Sequence, residues 1–147
     1  MTAESLPRVG EVFTGPGVPK LAKVTVGFAS TNDVVVTAQT TYAIFNVPAG
    51  MMVLDVFSIV NTAFTTSLTA NIGDGDDTDG WLATAKVAPT TAVTTGIHKR
   101  STLPTAEAYA GGKVYAAADT IDVLIGGATP AAGQMDVYVL YLDPASI

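Results

Sequence analysis

The sequence predicts an all-β fold: an antiparallel β-sandwich, jelly-roll-like, of about eight strands, led by an extended N-terminal arm. Three observations predict it. The dominant hydrophobic period from Lys23 to Leu142 is two, the period of a half-buried strand. Turn signals rich in Gly, Pro, Asn and Asp recur at short intervals, and no long stretch carries a helical stripe. Apolar residues make up 48% of the 147 positions and charged residues only 14%, against a usual charged share of about 25%. So low a charge suits a Thr-rich β-protein whose surface is shared with other subunits.

Residues 1–20 read as the arm. Pro7, Gly10, Gly15, Pro16, Gly17 and Pro19 break any helix or central strand. Leu6, Val9, Val12, Phe13 and Val18 nevertheless punctuate the segment. A frayed terminus is the plain reading, but a purely disordered tail usually lacks such spaced hydrophobes. These five are therefore the candidate subunit or capsid contacts. Residues 21–147 form one sandwich domain.

Within it, residues 23–28 alternate as a strand and residues 33–38 give a short apolar run. Residues 41–47 make the next strand, closed by the turn Pro48-Ala49-Gly50. Residues 51–61 make a long strand. Strict alternation places Met52, Leu54, Val56, Ser58 and Val60 on one face and Val53, Asp55, Phe57 and Ile59 on the other. Leu68, Ala70 and Ile72 alternate with Ser67, Thr69 and Asn71 as an edge or surface strand. Residues 73–80 are a turn-rich loop. Residues 81–87 suit a short helix or a strand, and 89–95 a Thr-rich loop or edge. A short strand follows at 113–116 and another at 120–125, ending on Gly126-Gly127. The clearest strand is 134–142, where Met135, Val137, Val139 and Tyr141 alternate with Asp136, Tyr138, Leu140 and Leu142. The loop at 126–133 suits a hairpin connection with some slack.

Several function classes drop out. No cysteine is present, which removes disulfides, thiolate zinc sites, iron–sulfur clusters and a cysteine nucleophile. One histidine, His98, removes any site needing two histidine ligands from one chain. Seven basic residues against thirteen acidic ones, a net charge of -6, argue against nucleic acid as partner. The first residues lack a basic stretch followed by an apolar one, so no secretory signal is expected. The most apolar run, residues 51–60, carries Asp55 and falls far short of the about 20 residues a bilayer needs. A soluble protein made in the cytoplasm, with no membrane partner, is the expectation.

Asp74, Asp76, Asp77 and Asp79, spaced by glycines, form the most conspicuous local cluster. Such carboxylates can bind Ca²⁺, a hard cation that takes six to eight oxygens. The EF-hand registers fail, however. Starting at Asp74 puts Asp79 where the loop glycine belongs, starting at Gly75 loses the first ligand, and Ala85 or Lys86 stands where Glu is required. The reading is a solvated turn with no metal and no cofactor, the four aspartates being the alternative ligand set. Trp81 is expected to anchor the loop on the core. His98-Lys99-Arg100, the one cationic cluster, reads as a solvated turn or an anion contact. Asp55, Asp122 and Asp136 are imaginable as paired carboxylates for glycoside hydrolysis, but their alternation with core residues suits outward-facing positions. None of Ser5, Ser30, Ser58, Ser67, Ser101 and Ser146 lies in a nucleophile elbow, and no phosphate-cradling glycine motif occurs. No catalytic residues are assigned.

Two stretches carry a resemblance: Asn71-Ile-Gly-Asp-Gly-Asp-Asp-Thr-Asp-Gly-Trp-Leu82, and residues 108–140 from Ala108-Tyr-Ala-Gly-Gly-Lys-Val-Tyr115 through Gln134-Met-Asp-Val-Tyr-Val-Leu140. Together they resemble tailed-bacteriophage virion structural proteins of the capsid decoration (cement) type, over roughly residues 50–143. The resemblance implies a β-sandwich or jelly-roll unit on the outer capsid surface, without catalytic residues. It also implies the major capsid protein as partner, homotrimers where capsomers meet, and a terminal arm reaching a neighbour. An acidic chain without a basic patch suits the outside of a DNA-filled shell. The alternatives are another phage structural module, at the tail or fibre attachment, and a Ca²⁺- or carbohydrate-binding β-sandwich.

Overall fold

The structure, a computed structural model, describes residues 18–65, 67–91, 99–100 and 108–143. In chain order the elements are β1 (Lys20–Gly27), β2 (Val34–Val35), β3 (Thr41–Val47), β4 (Met52–Thr62), β5 (Leu68–Gly73), α1 (Thr84–Val87), β6 (Lys99–Arg100), β7 (Lys113–Val114), β8 (Asp119–Gly127) and β9 (Gln134–Leu142). They build two sheets. The larger runs β2-β1-β9-β4-β6, with β7 also pairing β4, and the smaller runs β3-β8-β5. Every pairing is antiparallel except β1 with β2. The chain crosses between sheets from β3 to β4, β4 to β5 and β8 to β9, the alternation of a jelly roll. The all-β sandwich is thus as expected, with a single helical turn added at α1.

The core lies between the sheets. Val26, Val53, Val56, Val60, Met135, Val137 and Val139 project from the larger sheet, and Val47, Leu68, Ala70, Ile72, Ile121, Val123 and Ile125 from the smaller. Alternation along β9 and β5 holds as the sequence predicts: Met135, Val137, Val139, Leu68, Ala70 and Ile72 are all buried. Along β4 it does not. The pairing with β9 slips between Val53 and Asp55, where two β4 residues oppose one on the partner. Such a bulge inverts the alternation. Met51 and Val53 are buried before it, and Asp55, Val56, Ser58 and Val60 after it. Asp55, expected to face outward, is 2% exposed. Buried Ser58 Oγ has no hydrogen-bond partner among the described residues.

Two further expectations change. The loop after β8 is not a hairpin connection, because β8 and β9 belong to different sheets. Gly127 (φ 73°) and Gly133 (φ 119°) supply the left-handed backbone that this crossing uses. Lys99 and Arg100 do not form a turn; their backbone pairs with Ser58 and Phe57 as β6. His98 lies outside the described residues, as do Leu6, Val9, Val12 and Phe13. Val18 is half-buried, just ahead of β1.

Candidate functional site

The turn-rich loop after β5 is pinched at its base by reciprocal hydrogen bonds between Ile72 and Leu82, at 2.8 and 2.9 Å. At Gly73 a Cβ would lie 2.0 Å from the Asp77 carbonyl oxygen, so only glycine lets the loop fold back so closely. Asp74 N–H donates to Asp77 O at 2.9 Å. Asp74 Oδ1 accepts the backbone N–H groups of Asp76 and Asp77, both at 3.0 Å. An aspartate bonding its own downstream backbone in this way fixes a turn. It also directs the carboxylate inward, where Asp74 is 1% exposed.

The segment around β7 meets that carboxylate. Gly112 (φ 88°) turns the chain ahead of Lys113. Asp74 Oδ2 accepts hydrogen bonds from Lys113 Nζ and from the Tyr115 hydroxyl, each at 2.7 Å, and Oδ1 accepts one from the Tyr109 hydroxyl at 3.0 Å. The Lys113 ammonium also donates to Asp76 Oδ2 at 3.0 Å and to Tyr109 OH at 3.1 Å. It stands 4.3 Å from the Tyr109 ring centre and 4.6 Å from that of Tyr115. Trp81 Nε1 donates to Tyr115 OH at 3.2 Å, and the Trp81 ring meets Tyr109 edge-on at 5.2 Å. Fully buried Trp81 thus anchors the loop, as its position after the loop predicts.

Electrostatics follow from this packing. Burial alone would raise the Asp74 pKa, but the bonds from Lys113, Tyr115, the backbone and Tyr109 overcome it, and the carboxyl titrates below its usual range. Burial opposes the charge on Lys113, yet the bonds to Asp74, Tyr109 and Asp76 hold its pKa above the usual lysine range. Burial first, then the bond to Asp74, pushes the Tyr115 hydroxyl up. At neutral pH the cluster is an ion pair capped by two neutral phenols.

The expected solvated turn is therefore corrected at Asp74, whose charge is inside. Asp76 and Asp79 remain exposed, and Asp77 Oδ1 accepts the Asp79 N–H at 3.3 Å. The four aspartates do not converge as one ligand set. Asp74 and Asp76 instead come together with Asp119, one carboxylate oxygen of each lying within 4.8 Å of the others. Lys113 already bonds two of these carboxylates, and Asp119 Oδ1 accepts the Thr120 N–H at 2.8 Å. The lysine supplies the cation of this site. Chemically the arrangement is a clamp between two chain segments, with every polar atom of the pair engaged.

Tyr109, Lys113 and Tyr115 were not singled out by the sequence. The strand expected at 113–116 puts Lys113 and Tyr115 on one face, which is the available signal. Asp122 on β8 and Asp136 on β9 are half-buried and bond the hydroxyls of Thr120 (2.6 Å) and Thr25 (2.8 Å). Asp122 belongs to the smaller sheet and Asp136 to the larger, so these two do not face each other as an acid–base couple.

A second surface is the outer face of the larger sheet. Phe57 and Tyr138 stack there at 5.1 Å with planes 9° apart, and Leu21 is 57% exposed at the edge. Thr25 N–H on the β1 edge is taken by Asp33 Oδ2 at 2.8 Å.

No family model matches the chain, and no curated protein matches it. Two solved structures share its fold. One is a chain of the cyanophage Pam1 capsid asymmetric unit, 23% identical, covering 96% of this chain and 95% of that chain with a TM-score of 0.58. The other is a chain of the acidic stable capsid of Helicobacter pylori bacteriophage KHP30, 16% identical, covering 90% of this chain and 93% of that chain with a TM-score of 0.52.

Proposed function

We propose that the chain is a non-enzymatic virion structural protein of the decoration (cement) type, which binds the outside of a phage capsid at capsomer junctions and stabilises the shell. The observation that carries this reading is the Pam1 likeness, which spans nearly the whole of both chains and comes from a capsid. The KHP30 chain repeats the association of this fold with a capsid at still lower identity.

The chain's own residues support the reading. A charged share of 14% leaves much of the surface suited to contact with other subunits. The Phe57–Tyr138 stack and exposed Leu21 offer an apolar, aromatic face for such contact. The Asp74 cluster spends its ionised groups on one another, which suits a rigid building block. Residues 1–20 run into β1, and an arm there clasps a neighbour through Leu6, Val9, Val12, Phe13 and Val18. Binding only the assembled shell stabilises it by mass action. The partners in this reading are the major capsid protein and two further copies of the chain, in the virion.

The test is to mix the purified protein with empty shells of the major capsid protein from the same phage. Co-sedimentation to saturation, a raised shell melting temperature and weaker binding after deletion of residues 1–17 are expected. Protein left in the supernatant with shell melting unchanged would overturn the reading. Light scattering on the free protein checks for the trimer.

A further inference from the structure

We infer that the protein carries a binding site for a neutral sugar at the end of the sandwich opposite the Asp74 cluster. The site is a cavity of about 340 Å³ between the β1–β2 turn, the last residue of β4 and the loop leading into β9. That volume falls at the lower end of ligand pockets, about 300–1,000 Å³. The Asp74 cluster abuts Asp119 at the start of β8, whereas this cavity lies beyond its far end. Nine residues of strand, about 30 Å, separate the two.

The walls are fixed in place. Phe28 N–H donates to Gly133 O at 3.0 Å, tying the turn to the loop. Asn32, only 8% exposed, donates through Nδ2 to Ala29 O at 2.9 Å and accepts at Oδ1 from Gln134 Nε2 at 2.8 Å. A Cβ at Gly133 would come within 2.4 Å of the Phe64 ring, and one at Gly27 within 2.6 Å of Asn32 Nδ2, so the backbone packs tightly behind the cavity.

What remains open is a particular set of groups. Phe28 is 43% exposed and presents an aromatic surface. Gln134 Oε1 and the Thr31 and Thr62 hydroxyls line the cavity without a hydrogen bond from the described residues. Each hydroxyl both donates and accepts, and the Gln134 amide retains one N–H as well. No lining residue among those described is charged. A phosphate or carboxylate would find no cation among them. A pyranose matches each feature: its C–H face packs on the aromatic ring, and its hydroxyls both donate and accept. The polar groups come from three different segments, which suits hydroxyls arranged around a ring better than a nucleobase with its polar atoms in one edge. The site is independent of shell attachment and uses other residues.

The test is a titration of the full ¹⁵N-labelled chain with glucose, galactose, mannose and N-acetylglucosamine. At least one sugar is expected to shift the amide signals of residues 28–32 and 131–134, with an affinity on the order of millimolar for so few ligand atoms. Phe28→Ala should weaken binding by about tenfold at an unchanged melting temperature, and Gln134→Ala should weaken it by about tenfold with a lowered melting temperature, because it also removes the bond to Asn32. Phe28 is exposed enough for its truncation to leave the core intact, and the unsubstituted titration depends on neither variant. The inference is overturned if no sugar shifts those signals, if the shifts survive both substitutions, or if adenosine shifts them where the sugars do not.

Discussion

Lys113 and Asp74 stand 39 residues apart in the chain and 2.7 Å apart in the fold, and the aspartate has no exposed side-chain surface. A buried carboxylate is tolerated only when its charge is met and its oxygens are bonded. Here five donors do so: one ammonium, two phenols and two backbone amides. The clamp joins the loop after β5 to the β7 segment, two stretches with no strand pairing between them.

Asp74→Asn should therefore cost about 3 kcal/mol of folding stability, the scale for breaking a buried pair from one side. Asp77→Asn, in the same loop, should change stability by no more than about 0.5 kcal/mol. Urea titrations of both variants check the contrast. Equal effects would mean that the loop acts as a solvated turn after all.

The pH dependence follows from the same groups. Asp74 titrates in the folded state below its ordinary 3.8, so its contribution is present above that value and is lost as pH falls through the folded pKa. Lys113 and Tyr115 titrate above their ordinary 10.5 and 10.0, so theirs is present below those values and is lost as pH rises through the folded ones. Asp122 works the other way. Its burial, with the charges of Asp119 and Asp74 nearby, raises its pKa despite the Thr120 bond, so its contribution is lost as pH rises. Melting temperature plotted against pH should show a plateau falling at both ends, and Asp74→Asn should flatten the acid limb.

How much of this was legible depends on whether a feature is local. Met135, Val137 and Val139 alternate in the text and face the core in the fold, because one face of β9 is buried along its length. Asp55 misleads, because the bulge beside it is set by how β4 registers on β9 and not by β4 alone. Lys113 and Tyr115 share a face in any strand, but nothing near them names Asp74 as their partner. Asn32 and Gln134 meet across 102 residues, so the cavity that they line has no local signature either. The choice of sheet for β8 and β9 is equally silent, since each strand is amphipathic and either sheet would bury it.

Ser58 offers a test of the bulge. Its hydroxyl is buried on β4 opposite Val137 and lacks a hydrogen-bond partner among the described residues. Hydroxyls buried in this way cost free energy that a methyl group does not. Ser58→Ala removes the unsatisfied oxygen with little loss of volume, so a gain of about 1 kcal/mol is expected in a urea titration. A loss of similar size would mean that the hydroxyl is solvated and that β4 runs in unbroken alternation.

Calcium distinguishes a clamp from a metal site. Asp74, Asp76 and Asp119 bring three carboxylate oxygens within 4.8 Å, but the Lys113 ammonium bonds two of the groups at 2.7 and 3.0 Å. A calcium ion takes six to eight oxygens and would have to expel the lysine from between two tyrosine rings. Calcium at millimolar concentration should therefore leave the melting temperature of the unsubstituted chain unchanged. Lys113→Met takes the ammonium away and leaves the carboxylates facing one another, so that variant should melt lower and recover part of the loss when calcium is added. If calcium stabilised the unsubstituted chain and Asp76→Ala abolished the effect, the aspartates would be ligands and Lys113 their occasional substitute.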